Sequence, residues 1–194
     1  MSLYLPLSEA ETRKLKIGQT VTLTGVVHTA RDEAHGRMME HIRDGRPLPF
    51  DLRGGAIYHC GPIMERDGRS WRVVAAGPTT SARMNALEPE VVVSTGVRAI
   101  IGKGGMSRPT IDAMARQGCV YLAFTGGAAV VAAKGIKAVK AVHWLDLGMA
   151  EAVWELQLQD FGPLVVAMDC GGRSLYEDVE KKVAREMESL KRCL

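Results

Sequence analysis

Short apolar runs separated by glycines dominate the middle of the chain. They lie at residues 56–58, 71–76, 91–93, 98–101, 119–124 and 164–168. Runs that are apolar at consecutive positions are typical of strands covered on both faces. Residues 20–24 instead alternate polar and apolar side chains, which predicts a half-buried strand. The pattern therefore predicts a series of short strands, most of them buried.

Helical periodicity appears between and before these runs. It predicts helices over 81–88, 107–117 and 126–133, and a short helix after Ser8, which has capping-box spacing with Glu11. A further helix is predicted from Thr29 as the N-cap, with an apolar face formed by Ala34, Met38 and Ile42. Strands and helices together indicate an α/β fold in which helices pack on mixed sheets.

The chain closes with an amphipathic helix, predicted over 174–194 and capped by Ser174. We expect its apolar stripe to pack on the chain's own core rather than on a partner; the stripe consists of Leu175, Val179, Val183, Met187 and Leu190. The whole chain is interpreted as one domain, 1–194. Within it, 1–17 is an N-terminal extension and 174–194 is a C-terminal helix.

Composition narrows the class of protein. The 194 residues are 46% hydrophobic and 24% charged, as in a soluble globular protein. A net charge of +3 is too small to indicate binding to nucleic acid or a membrane. The start of the chain shows no secretory signal, which predicts a cytoplasmic protein. The cysteines are scattered, which argues against a disulfide framework and a self-contained zinc or iron–sulfur site; they are Cys60, Cys119, Cys170 and Cys193.

Three short signatures carry the candidate chemistry. They read RDEAH at 31–35, GPTTSARM at 77–84 and GKGG at 102–105. Each is predicted where a strand gives way to a helix, and each combines a cationic side chain with free backbone donors, which suits an anion with several negative groups. The third resembles a phosphate-binding P-loop, but it has one residue too many between the glycines and lacks the Ser or Thr after its lysine. A nucleotide site is therefore excluded.

The side chains of these signatures admit a functional and a structural reading. Arg31 lies near a helix N-terminus, so its charge is either offset by Asp32 or by a surface carboxylate, or directed at a ligand carboxylate. Three consecutive hydroxyls, at 79–81, exceed what one helix cap requires. They are either one cap and two solvent-facing side chains, or part of an anion site over which Arg83 could return. Between Ile17 and Ala133 the chain has twelve arginines and the single lysine Lys103. The lone lysine is either a chance occurrence or, as we favour, meets a need for a compact ammonium that can lose a proton.

The histidines are weaker candidates. His35 lies one turn from Arg31 and either orients that arginine or contacts the ligand. His28, His59 and His143 are interpreted as structural residues, because they lie in apolar or strand contexts.

The three signatures closely resemble, in order and spacing, the β subunit of class I (iron–sulfur) fumarate hydratases. The Gly61–Pro62 pair between the first two signatures is part of this resemblance. The β subunit of L(+)-tartrate dehydratase has the same layout. The resemblance runs from about residue 18 to residue 172, and it implies a layered swivelling β/β/α domain. It also implies a separate α subunit that holds a 4Fe–4S cluster through three cysteines, so that this chain binds no metal itself.

The resemblance also implies roles for individual residues. Arg31 and Arg83 would bind substrate carboxylates, and Thr79 would be placed at the reacting carbon, with Thr80 beside it. Lys103 would bind a carboxylate or ease proton transfer from Thr79, and the cluster's open iron would take the leaving hydroxyl. Gly104 is counted among the substrate-binding positions. His35 and Asp32 are possible supporting residues.

The leading hypothesis is therefore the β subunit of a fumarate hydratase that interconverts (S)-malate and fumarate. It would be inactive without its α subunit and would assemble as an oligomer of αβ units. An L(+)-tartrate dehydratase is the alternative in the same class. A non-catalytic domain that binds dicarboxylates is the alternative in another class.

Overall fold

Nine strands and six α-helices occupy the residues that the structure, a computed structural model, describes: 1–68, 70–127 and 129–192. The strands are β1 (Ser2–Tyr4), β2 (Thr20–Thr29), β3 (Ala56–Tyr58), β4 (Ile63–Asp67), β5 (Ser70–Ala75), β6 (Ala99–Gly102), β7 (Val120–Ala123), β8 (Ile136–His143) and β9 (Val153–Met168). The helices are α1 (Glu9–Thr12), α2 (Asp32–Arg43), α3 (Glu88–Thr95), α4 (Arg108–Gln117), α5 (Ala129–Lys134) and α6 (Leu175–Arg192). The α/β class, with helices packed on sheets, is confirmed.

The main sheet closes on itself. Its seven strands run in the order β1-β2-β3-β6-β7-β9-β8, and β9 also pairs with β2 along an antiparallel ladder. Strands β2, β3, β6, β7 and β9 therefore form a ring of hydrogen-bonded neighbours. The two strands outside the seven-stranded sheet, β4 and β5, form a separate antiparallel pair. Each of the five ring strands therefore has a neighbour on both sides, and the edge strands of the sheet are β1 and β8.

Alternate residues of the ring strands belong to two different cores. Tyr58, Ile101 and Leu122 lie in one buried cluster, whereas Ile57 and Ile100 lie in a second cluster together with side chains of α2, α3 and α4. Since successive side chains of a strand point to opposite faces, both faces of these strands are covered. This explains why their sequences are apolar at consecutive positions.

The first seventeen residues contribute to this core. Strand β1 pairs in parallel with β2, and Leu3, Leu7 and Leu15 are buried. Helix α1 begins after Ser8 with the predicted capping box, in which the backbone N–H groups of Ser8 and Glu11 each donate to the other residue's side chain.

Two predicted secondary-structure assignments are wrong. Residues 91–93, predicted as a strand, lie in α3, whose first turn contains Pro89 and whose buried face includes Val91 and Val92. Thr29 is not the cap of α2. It ends β2, where its hydroxyl accepts from the N–H of Trp154 in β9, and Arg31 stands at the N-cap position. The pairing of β2 with β9 extends the strand past the predicted boundary at residue 24.

Other predicted elements differ in extent. Of the predicted helix 81–88, residues 81–84 form a 3-10 turn. Helix α4 matches the prediction for 107–117 closely, whereas α5 begins at Ala129 within the predicted range 126–133, whose first two residues form a turn. Strands β1, β4 and β8, and the first half of β9, were not predicted, because their sequences mix polar with apolar residues.

The C-terminal helix is present, but the expected burial of its stripe is wrong. Leu175 is partly buried, and the N–H of Glu177 donates to Ser174 Oγ (3.4 Å) as predicted. The rest of the stripe is 51–63% exposed: Val179, Val183, Met187 and Leu190. The last two residues of the predicted helix, Cys193 among them, lie outside the described residues. None of the described helices combines the length and apolar composition needed to cross a membrane.

Candidate active site

The three signatures meet at one end of the main sheet. Strands β2, β3 and β6 are parallel neighbours, and Thr29, Tyr58 and Ile101 are paired across them. The chain segments that leave these strands therefore emerge side by side. Ligands of α/β proteins commonly bind at the carboxyl ends of parallel strands. Arg31 follows β2 and Lys103 follows β6, so the topology brings the first and third signatures to the same edge.

Backbone hydrogen bonds fasten the second signature to this edge. The N–H of Thr79 donates to the carbonyl of His59, which directly follows β3 (2.8 Å). Thr80 and Lys103 form an isolated parallel bridge, and the N–H of Ser81 donates to the Lys103 carbonyl (3.0 Å). The predicted catalytic residues Thr79 and Lys103 are thus held on adjoining segments.

Asp32 joins the two arginines. Its carboxylate accepts a hydrogen bond from Arg83 Nε (2.9 Å) and lies 3.9 Å from Arg31 Nη2. Arg31 Nε also lies 3.2 Å from Glu151, in the loop before β9. Arg31 is therefore paired with carboxylates, as the structural reading of this residue expected. The Arg83 side chain remains 52% exposed and accessible to a ligand.

Gly61 determines where the Arg31 side chain lies. A β-carbon at this position would be 2.7 Å from Arg31 Nη1 and 2.8 Å from the carbonyl oxygen of Ala150. Gly61 does not have a left-handed backbone conformation, so the need for glycine here comes from space alone. The Gly61–Pro62 segment thus forms the wall against which the guanidinium packs.

Lys103 is the third cationic residue of the candidate site. In the described part of the chain no carboxylate pairs with its ammonium, and the hydroxyls of Thr79 and Thr80 have no hydrogen-bond partner there. The Lys103 stem passes Gly126, where a β-carbon would lie 3.3 Å from its Cδ. Gly104, at φ +81°, has a left-handed conformation that favours glycine. These free polar groups are suited to a ligand with several acceptor oxygens.

A fully buried polar cluster lies beneath these residues. The Oε2 atom of Glu88 is 2.8 Å from His35 Nε2 and 3.0 Å from His59 Nε2. Burial acts to raise the pKa of Glu88, but the two imidazoles outweigh it and hold that pKa well below its ordinary value. Burial acts to lower the pKa of His35, which Glu88 nevertheless raises. The pKa of His59 is lowered, mainly by burial.

Sequence reasoning missed most of this cluster. The His35 ring is inaccessible to solvent and its Nδ1 lies 2.7 Å from the Arg31 carbonyl, so it faces the arginine's backbone and not the surface. Glu88 stands beside Pro89 at a helix start, a position that usually indicates an exposed first-turn carboxylate. Glu151 belongs to no motif. No local signal identifies either carboxylate, since each meets its partner only through the fold.

The cysteines do not suit a metal cluster. Cys60 and Cys119 are fully buried, and burial raises the pKa of Cys60 to about 12, which keeps it a neutral thiol. Among the described residues, the one group with metal-ligand spacing is His35, His59 and Glu88, which contains no sulfur. The three cysteines that the structure describes therefore provide no cluster site.

Known proteins similar to this chain carry dehydratase and hydratase names. The sequence profile of the family described as "Fumarase C-terminus" matches residues 1–179. "Putative L(+)-tartrate dehydratase subunit beta" of Methanocaldococcus jannaschii is 49% identical over 185 residues, which are 95% of each chain. "L(+)-tartrate dehydratase subunit beta" of Escherichia coli is 37% identical over 188 residues, 97% of this chain and 92% of that one.

A longer relative has a different arrangement. "Putative fumarate hydratase class I" of Geobacillus stearothermophilus is 42% identical over 192 residues. These residues are 98% of this chain but 36% of that protein.

Proposed function

The chain belongs to the fumarase C-terminus family, and we propose that it is the β subunit of a two-subunit hydro-lyase that reversibly dehydrates (S)-malate to fumarate. One observation supports this proposal most directly. Arg31, Arg83 and Lys103 lie, with Thr79 and Thr80, on segments that meet at the carboxyl ends of parallel strands, and in the described part of the chain the two threonine hydroxyls have no hydrogen-bond partner. A substrate with a carboxylate at each end matches such a set of cations and donors.

Each of these residues has a proposed role that follows from the chemistry of its side chain. Removal of a C–H proton beside a carboxylate builds extra negative charge on that carboxylate's oxygens. Fixed cations directed at this charge lower the barrier, and one such donor contributes about 3 kcal/mol. In the proposal, the guanidinium groups of Arg31 and Arg83 hold the two carboxylates. Lys103 stabilises the developing charge and Gly104 contributes backbone contacts.

Thr79 is proposed as the residue at the reacting carbon, with Thr80 beside it. A threonine hydroxyl is a weak base unaided, so its role depends on a neighbour that accepts or relays the proton. Lys103 is suited to this, because its ammonium is not engaged by a carboxylate among the described residues and lies on the strand end bridged to Thr80.

The enzyme is proposed to need a second subunit. The relatives from Methanocaldococcus jannaschii and Escherichia coli are named as β subunits, and the resemblance implies an α subunit that carries a 4Fe–4S cluster. We assign the cluster to that partner, because the described cysteines of this chain do not fit it. The assembled enzyme would be an oligomer of αβ units.

L(+)-tartrate is the second candidate substrate. The two relatives of matching length carry tartrate dehydratase names, whereas the relative with the fumarate hydratase name is a longer chain. Tartrate differs from malate by one hydroxyl, and the residues above bind carboxylates, so they serve either substrate.

Reconstitution tests the proposal. The chain is co-expressed anaerobically with a cluster-bearing α subunit, and kcat/KM is measured for (S)-malate and L(+)-tartrate. Arg83→Met should lower kcat/KM by about 100-fold or more. Arg116→Met, at an exposed arginine on α4, should leave kcat/KM unchanged.

Each alternative has its own outcome. Turnover of L(+)-tartrate with negligible turnover of malate would replace the leading substrate. Binding of malate by the chain alone, with no turnover in any reconstituted complex, would favour the non-catalytic dicarboxylate-binding domain. Full activity of Arg83→Met would remove Arg83 from the clamp.

A further inference from the structure

A continuous set of buried polar contacts joins the segments that carry the candidate active site. We propose that Glu88, together with His35 and His59, is a positioning centre that holds Arg31 in register with the Thr79–Lys103 pair. The inference rests on the proposed function, since it assigns these three residues to support of the same site. None of the three is in contact with solvent, so none is a catalytic residue.

At the Arg31 end of this set, the hydrogen-bond acceptors around His35 show which of its ring nitrogens carry a proton. His35 Nδ1 lies 2.7 Å from the Arg31 carbonyl oxygen, which only accepts hydrogen bonds, so Nδ1 carries a proton. His35 Nε2 lies 2.8 Å from Oε2 of Glu88, and because the two imidazoles hold the pKa of Glu88 well below its ordinary value, this carboxylate is ionised and also only accepts. Both ring nitrogens are therefore protonated, and His35 is an imidazolium paired with the Glu88 carboxylate.

The other end requires a neutral ring. His59 Nε2 donates to Glu88 Oε2 (3.0 Å), which leaves Nδ1 as an acceptor for the Ser81 hydroxyl (2.9 Å). Ser81 Oγ in turn lies 2.8 Å from the hydroxyl of Tyr121, which donates to it. A cation at His35 and a neutral ring at His59 place one proton in each of the nitrogen–oxygen contacts named here, while Glu88 Oε1 has no hydrogen-bond partner among the described residues. They also leave the buried set with no net charge, which limits the cost of burial.

Each member of the set is attached to the backbone of a signature. His35 supports the Arg31 carbonyl at the start of α2, and the carbonyl of His59 accepts the N–H of Thr79. Ser81 donates its own N–H to the Lys103 carbonyl. The side chain of Ser81 occupies space that a β-carbon at Gly102 would fill, so the third signature is built around this hydroxyl.

Burial makes the set intolerant of partial removal. The rings of His35 and His59 and the side chain of Glu88 are inaccessible to solvent, so bulk water cannot replace a lost partner. When one group is removed, the remaining groups move to find new partners. Such a movement shifts the backbone of Arg31 against that of Thr79. A misplacement of about 1 Å at reacting groups lowers catalysis by roughly 100-fold.

The protonation states give a test that needs no substrate. The full-length chain is labelled with ¹⁵N-histidine, and the ring nitrogens are observed by long-range ¹H–¹⁵N correlation at about pH 7. Signals are assigned with His35→Gln and His59→Gln. We expect a cationic His35 and a neutral His59 with its proton on Nε2. A neutral His35 or a cationic His59 would overturn the assignment.

Kinetics of the reconstituted complex test the positioning role. Glu88→Gln should lower kcat/KM by about 100-fold and move the alkaline limb of its pH profile to lower pH. The limb moves because the loss of the negative charge lowers the pKa of His35, which then loses its proton more readily. The charged or titratable groups that face His35 are Glu88 on α3, His59 after β3 and Asp32 on its own helix.

Two further variants keep the test decisive. Ser81→Ala removes the hydroxyl that contacts His59 and keeps the ion pair between His35 and Glu88. It should therefore lower kcat/KM without moving the alkaline limb of the pH profile. Thr12→Val removes another buried hydroxyl, which donates to the Gly118 carbonyl (2.7 Å) outside the site, and should leave both readouts unchanged. If Glu88→Gln does not fold, His35→Gln takes its place in the kinetics.

The outcomes separate this inference from the proposed function. If Thr12→Val loses as much activity as Glu88→Gln or Ser81→Ala, the buried set has a merely structural role. The same conclusion would follow if the alkaline limb of the pH profile did not move in Glu88→Gln. A wild-type complex without activity on malate or tartrate would contradict the proposed function. In that case the histidine spectra still decide whether the ion pair and the neutral ring exist.

Discussion

Replacement of Gly61 by alanine should displace Arg31 without altering any polar group. The added β-carbon would lie 2.7 Å from Arg31 Nη1 and 2.8 Å from its Cδ. The optimal separation between such atoms is about 3.5 Å, so the guanidinium must move by roughly 0.8 Å. The β-carbon cannot retreat in the other direction, because the Ala150 carbonyl oxygen is 2.8 Å away.

The shift should have a large effect on activity and a smaller one on stability. If Arg31 binds a substrate carboxylate, a displacement of this size lowers kcat/KM by roughly 100-fold. Crowding of a packed site costs about 1–3 kcal/mol of unfolding free energy. The assays are steady-state kinetics of the reconstituted complex with malate and L(+)-tartrate, and urea unfolding of the variant chain.

Gly36 provides the matched control. It lies within α2, and a β-carbon there would have nothing within 4 Å. Gly36→Ala should therefore keep wild-type kinetics and raise the unfolding free energy by up to about 1 kcal/mol, because alanine favours a helix. In an Arg31→Ala background, Gly61→Ala should cause no further loss of kcat/KM. Wild-type kcat/KM in Gly61→Ala would refute the reasoning.

Two predictions concern stability. Val92→Ala, at a fully buried position of α3, should lower the unfolding free energy by about 2 kcal/mol. Val183→Ala, at a position 56% exposed on α6, should change it by less than about 0.5 kcal/mol. Equal effects of the two variants in chemical denaturation would contradict the exposure of the apolar stripe. Glu88→Gln should cost about 3 kcal/mol where the ion pair with His35 is intact. Because the pKa of Glu88 is lowered, the stabilisation by the ion pair falls as the pH drops below 4.5, the ordinary pKa of a glutamate. Because the pKa of His35 is raised, the same stabilisation falls as the pH rises above 6.5, the ordinary pKa of a histidine. The difference in unfolding free energy between wild type and Glu88→Gln should therefore be largest between these two pH values. A difference that is constant from acid to alkaline pH would contradict the pairing.

Local sequence predicted elements well where one interaction dominates. The capping box of Ser8 and Glu11 starts α1 as predicted, and α4 follows its predicted range. The three valines at 91–93 favour a strand by intrinsic preference, but Pro89 in the first turn and the burial of Val91 and Val92 against the helical core place this segment in a helix. Tertiary packing overrides propensity in such short segments.

The same limit applies to the surface of the C-terminal helix. Its periodicity correctly predicted a helix with one apolar face. A periodic pattern states that a face exists, but it does not state which surface covers it. The exposed Val183 and Met187 show that the chain's own core does not cover this face.

The sequence by itself determined the kinds of residue at the candidate site and their places at strand ends. Arg31, Thr79, Arg83 and Lys103 were identified from the order and spacing of three signatures, because a glycine-rich turn between a strand and a helix is a local feature. Their roles in substrate binding and proton transfer stay predictions.

Only the tertiary structure decided what surrounds these residues. Glu88 meets His35 and His59, and Glu151 meets Arg31, across long separations in the chain. These contacts exist because β2, β3 and β6 align in parallel register and β9 closes the ring. Strand register is fixed by the packing of both faces at once, a property of the whole core that no single segment encodes.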